Sequence, residues 1–158
     1  MALEYKQIVV RNHTEEELRE LWRQEYCRQV IHTHDGVRVK FYDSNFDHAF
    51  YESSDRRQSA NKKKHKDILS PVRLSRMLWI KDVLADPDAE MFNGYESKTR
   101  KYNPNKRISV VKGNYVVVIE MQKNGHATFI TAYVADNSIE KIRQSPKWRK
   151  WGNKKDAD

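Results

Sequence analysis

Cysteine is almost absent: the 158-residue chain has only Cys27. A single thiol excludes an internal disulfide and any metal site built from several cysteines. Five glycines and four prolines form no linker, and there is no internal repeat, so residues 1–158 are expected to fold as a single domain. No stretch approaches the roughly 18 apolar residues of a membrane span. The polar, acidic N-terminus does not read as a signal peptide. A cytoplasmic location without a membrane partner is therefore expected. There is no Gly-rich phosphate loop and no Gly-x-Ser-x-Gly.

What is present is aromatic and basic. Five Phe, eight Tyr and four Trp are enough for one core and argue against a wholly disordered chain. Net charge is +8, unevenly spread. Residues 53–66 hold six Lys and Arg against one acid, 98–112 six against none, and 141–155 seven against none. The remainder is acidic. Surfaces usually intersperse the two signs, so this segregation suggests a face for a polyanion, most commonly nucleic acid. The plainer alternative is basic loops that only aid solubility.

Thr14-Glu15-Glu16-Glu17 is a capping box, and Leu18, Leu21, Trp22 and Val30 mark a partial apolar stripe through Ile31. Asp35-Gly36 predicts a turn, and Val37 to Tyr42 alternates as a strand. A short helix or turn follows over Phe46–Phe50, then an exposed basic loop over 53–66. Ser70-Pro71 opens a helix that Asp86-Pro87 closes. Strands are expected over 107–112, 114–122 and 126–135, the last two joined at Asn124-Gly125. A final helix over about 137–144 precedes a flexible basic tail, 146–158. Helices followed by a meander give an α+β fold.

A two-residue hairpin loop pairs Lys123 with His126, Glu120 with Phe129 and Val118 with Thr131. One sheet face is then apolar. The other carries Val116, Val118, Glu120 and Gln122 opposite Ala127, Phe129, Thr131 and Tyr133. That mixed face is either simply solvated or a site. On a helix over 71–86, Arg76 sits in the apolar arc of Val72, Trp79, Ile80 and Val83, and must snorkel, find a carboxylate or line a cleft. Arg73, one turn away, makes the pair a candidate phosphate clamp. His32, His34 and Asp35 lack a third distant ligand, so no metal or cofactor is expected. His48, between Phe46 and Phe50, is either a packed structural histidine or a catalytic one.

Four short motifs, Phe46-Asp47-His48-Ala49-Phe50, Arg73-Leu74-Ser75-Arg76-Met77-Leu78-Trp79-Ile80, Phe129-Ile130-Thr131-Ala132-Tyr133 and Ser145-Pro146-Lys147-Trp148, resemble phage-associated nuclease-like domains. These belong to the wide barnase, EndoU, colicin and RelE-like group. The resemblance runs over about residues 37–150. It implies N-terminal helices packed on an antiparallel four-stranded sheet, with RNA crossing the open sheet face. It also implies a metal-independent endoribonuclease, often a toxin, with RNA and an antitoxin or immunity protein as partners. His48, Arg76, Thr131 and Tyr133 then stand at the catalytic positions.

RNA supplies its own nucleophile, the 2′-hydroxyl, so such an enzyme needs only an acid, a base and cations. His48 fits proton transfer, with Glu120 as a second proton-transfer group. Arg73, Lys112 and Lys147 would hold phosphates, and Phe129 and Trp148 would stack on bases. The alternative function is a non-catalytic nucleic-acid-binding module of phage or mobile-element origin.

Overall fold

The computed structural model describes residues 3–52, 68–93, 107–136 and 138–148, and the backbone of 95–96 and 101–102. Thr14 caps the first helix as its spacing predicts. Its hydroxyl accepts the Glu17 amide at 3.1 Å, and the Glu17 carboxylate accepts the Thr14 amide at 2.9 Å. Helix α1 (Glu15–Trp22) runs into one π-turn, Arg23–Cys27, and ends before the expected Ile31. The next residues form β1 (Ile31–His32), folded back on β2 (Arg38–Lys40) by a turn in which Gly36 has φ 94°. Pairing with Val39 buries Ile31, while Val30, placed on the apolar stripe of the expected helix, is 63% exposed.

Helix α2 (Asn45–Phe50) leads into β3 (Tyr51–Glu52), which pairs with β4 (Ile68–Leu69). The basic loop expected over 53–66 lies outside the described residues. The single helix expected over 71–86 is in fact two, α3 (Pro71–Ser75) and α4 (Trp79–Ala85). Ser70 caps the first by accepting the Arg73 amide at 3.3 Å. At the break, distant donors reach three successive carbonyls, of which those of Arg76 and Met77 also accept the Trp79 and Ile80 amides at 2.9 and 3.4 Å. Ser75 accepts from the Ile8 amide at 2.8 Å, Arg76 from the Tyr115 hydroxyl at 3.4 Å, and Met77 from the Tyr26 hydroxyl at 2.5 Å. Val72 turns outward, 56% exposed. The apolar arc centred on Arg76 therefore does not form.

The remaining elements are β5 (Glu90–Asn93), β6 (Tyr95–Glu96), β7 (Lys101–Tyr102), β8 (Arg107–Lys112), β9 (Tyr115–Met121), β10 (Ala127–Val134) and α5 (Ile139–Arg143). The fold is α+β, but the expected four-stranded antiparallel sheet is corrected. The main sheet has six strands in the order β1-β2-β10-β9-β8-β5, and β2 runs parallel to β10. The β1–β2 hairpin joins one edge and β5 the other, because both carry side chains that complete the core (Val39 and Met91). Pro146–Trp148 were read as part of a flexible tail. Instead they lie along β5, with the Asn93 amide on the Pro146 carbonyl at 2.7 Å and the Trp148 amide on that of Met91 at 3.0 Å. Residues 149–158 lie outside the described residues.

Two irregularities decide which side chains share a face. The β9–β10 loop has three residues, not two: the Gln122 amide donates to the His126 carbonyl at 2.7 Å, and Gly125 takes φ 87° inside the turn. This moves the pairing by one residue, so Glu120 stands opposite Thr128 and Ile119 opposite Phe129. A β-bulge between Phe129 and Thr131 moves it back. Beyond the bulge Val118 opposes Thr131 and Val116 opposes Tyr133, as the two-residue loop predicted.

One sheet face packs on α1 to α4 around Trp22, whose ring meets those of Tyr26, Phe41, Phe50 and Phe129 at 4.6 to 5.6 Å. The opposite face has its own cluster of Phe92, Val111, Val116 and Ala135, joined by Tyr133 and by Ile139 and Ile142 of α5. The face expected to be open is thus partly roofed.

Candidate functional site

Helices α2 and α3 and strand β10 pack against one another. Strand β2 pairs with β10 only at Ala127 and Thr128, which leaves the flank of β10 beyond the bulge to the two helices. Phe46, Ala49 and Phe50 are buried and anchor α2, leaving His48 on its exposed side. The helix is braced from outside by Arg19. That guanidinium lies 4.5 Å from the centre of the Phe46 ring and reaches Asp47 at 2.6 Å and Glu15 at 3.0 Å. No sequence window reveals this brace, because Arg19 and Asp47 are 28 positions apart.

Arg73 is partly buried and donates to the Ala49 carbonyl, one residue from His48, at 3.2 Å. Its positive field also reaches Tyr133. Burial raises the Tyr133 phenol above its ordinary value, and Arg73 opposes that rise. Thr131 and Tyr133 are both half-buried on the strand beside these helices. The helices bearing His48 and Arg73 therefore pack on the strand bearing Thr131 and Tyr133, with Tyr133 directed to the cluster under α5 on the far face of the sheet. Compared with family models, curated proteins and solved structures, the chain matches none of them.

The other sequence candidates lie elsewhere or are engaged. Arg76 caps α3, with its guanidinium 5.0 Å from the Trp79 ring centre and donating to the Val72 carbonyl at 3.2 Å. Glu120 is bound to Arg107 at 3.2 Å across the β8–β9 pair. Lys147 reaches Glu90 at 3.4 Å and sits 5.4 Å from the centre of the Phe92 ring, beside the β5 edge. Phe129 and Trp148, expected to stack on bases, are corrected: they are 1% and 7% exposed and belong to the core. For Phe129 the three-residue hairpin loop is the cause, since it turns that ring to the helical face. Trp148 is drawn in by the extra pairing beside β5.

Lys112 binds Asp86 at 3.0 Å rather than standing free for phosphate. Asp86 is buried and also accepts the Tyr5 hydroxyl at 2.6 Å and the Asp88 amide at 2.8 Å. The Tyr5 hydrogen bond is the main reason its carboxyl lies below the usual aspartate value. A depressed carboxyl contributes stability that is present above the unfolded value, about 4, and is lost as pH falls through the folded one. We expect the protection factor of the Asp88 amide, which donates to Asp86, to fall below about pH 4, and an Asp86→Asn protein to lose that dependence. Hydrogen exchange at matched intrinsic rates measures it. Equal protection on both sides of pH 4 would remove Asp86 from the role.

Among the described residues no three His, Cys, Asp or Glu side chains stand together as a metal site. Among them, too, no helix is long and apolar enough to cross a membrane.

Proposed function

We propose that the α2–α3–β10 junction is the active site of a metal-independent endoribonuclease. The observation that supports this best is Arg73. Its guanidinium is fixed to α2 beside His48 by donating to the Ala49 carbonyl at 3.2 Å. A base, a cation and a phenolic donor from three elements are the groups that 2′-hydroxyl attack requires.

In this reading His48 takes the proton of the 2′-hydroxyl, and the freed oxygen attacks the adjacent phosphorus. The phosphorus–5′-oxygen bond breaks, and Tyr133 gives its proton to the departing oxygen. The phenol is protonated at neutral pH, as a donor must be, and burial raises its value further. Arg73 stabilises the charge on the phosphorane and then the phenolate. Thr131 donates to a non-bridging oxygen. The products are a 2′,3′-cyclic phosphate and a 5′-hydroxyl end. An acidic inhibitor protein, such as a toxin's partner, would bind the same cations.

The test incubates wild type and His48→Ala with total RNA in excess EDTA on a denaturing gel. Wild type is expected to cut, and His48→Ala to cut about 10²–10⁴-fold more slowly. His48 is exposed, so the variant should still fold, which its circular-dichroism spectrum checks. Binding without cleavage by either protein would replace this reading with that of a nucleic-acid-binding module.

A further inference from the structure

We propose that the outer edge of β1 and the cavity beside it form a docking site for an extended peptide segment of a partner protein. The proposal is independent of the nuclease reading. Strand β1 ends the six-stranded sheet, and the register shows which backbone groups it leaves outward. The Thr33 amide donates to the Val37 carbonyl at 2.8 Å, so Thr33 with Val37 and Ile31 with Val39 are hydrogen-bonded pairs. His32, opposite Arg38, falls between them. Its N–H and C=O therefore both point away from β2, as a pair that one residue of an added strand can satisfy.

What separates this edge from an ordinary one is the space next to it. A cavity of about 570 Å³, lined by His32 itself, lies between β1 and α4, within the size range of ligand sites. Its apolar lining comes from Leu3, Val30, Ile31, Ala85 and Pro87. At the rim, Lys81 is paired with Glu25, and Asp82 accepts the Tyr5 amide at 2.8 Å. Two acids against one base make this lining acid-leaning, in a chain whose net charge is +8.

Main-chain pairing supplies affinity and a side-chain pocket supplies selectivity when a strand is added to an edge. The occupant that fits is an extended peptide placing a large apolar side chain in the cavity, with basic residues on either side. A second copy of this chain fits less well. Two β1 edges paired about a two-fold axis would set His32 against His32 and leave the cavity unfilled.

The experiment uses the full chain and capped heptapeptides of alternating lysine and valine, whose central residue is Leu, Phe or Glu. Hydrogen exchange at the His32 amide is the readout. The Leu or Phe peptide should slow it about tenfold. The Glu peptide, and the best binder N-methylated at the two residues flanking its central one, which pair with His32, should not. Proline is tolerated where an edge N–H faces solvent, so His32→Pro, which has no amide at that position, should retain its circular-dichroism spectrum and give no binding heat in calorimetric titration with the same peptides. Val30→Asp, at an exposed position, tests the cavity wall if the proline variant does not fold. No slowing by any peptide at millimolar concentration would overturn the proposal. So would binding that survives the Val30 change and the N-methylation. A peptide-free dimer abolished by the same substitutions would assign the edge to a second copy instead.

Discussion

A Trp22→Ala protein should lose about 3–5 kcal/mol of unfolding free energy, a fall in Tm of roughly 6–20 °C for a chain of this size. The indole is fully buried and touches rings from four separate parts of the chain: Tyr26 after α1, Phe41 beyond β2, Phe50 in α2 and Phe129 in β10. Its Nε1–H also donates to the Tyr42 carbonyl at 3.0 Å. Alanine leaves a void that those rings close only in part, because each is held by its own element. Urea unfolding followed by tyrosine fluorescence would measure the loss. A change below about 1 kcal/mol would mean the aromatic cluster repacks, against the usual behaviour of closely packed interiors.

Arg73→Ala carries the second large effect, and it has two readouts. If the junction cleaves RNA, removing the cation nearest the developing charge should slow cleavage about 10²–10³-fold. The Tyr133 phenol should also titrate higher, because burial continues to raise it while the opposing charge is gone. Carbon-13 labelling at the tyrosine ring carbon bearing oxygen reads the second effect whether or not the protein is an enzyme. Lys147→Ala should change neither, since that ammonium is engaged with Glu90 beside the β5 edge. A Tyr133 titration unmoved by Arg73→Ala would separate the two groups and undo the proposed pairing of cation and donor.

The proposed site was partly legible. His48 follows Phe46 and precedes Ala49 and Phe50, and the burial of those three is what leaves it on the outer side of a short helix. Thr131 and Tyr133 reached the anticipated face through two departures from the anticipated path. The three-residue hairpin loop shifted the register once and the bulge reversed it. Phe129 lies between the two shifts, so it alone among the site candidates of that strand was carried into the core.

The sequence alone determined the features whose physics is local. Thr14 and Glu17 satisfy each other's backbone amides within one turn, and Ser70 starts a helix by accepting the Arg73 amide with Pro71 at its first position. Strands 107–112, 115–121 and 127–134 follow from their alternation and β-branched content. Only the tertiary structure decided what depends on groups distant in the chain. The helix breaks after Ser75 where Ile8, Tyr115 and Tyr26, all distant in sequence, donate to three successive carbonyls. Strand β2 lies parallel to β10 because that position buries Val39, and Arg19 reaches Asp47 only once α1 and α2 share a core. Local periodicity fixes a segment's own hydrogen bonds, whereas a buried side chain or a free carbonyl takes the best partner the whole fold brings to it.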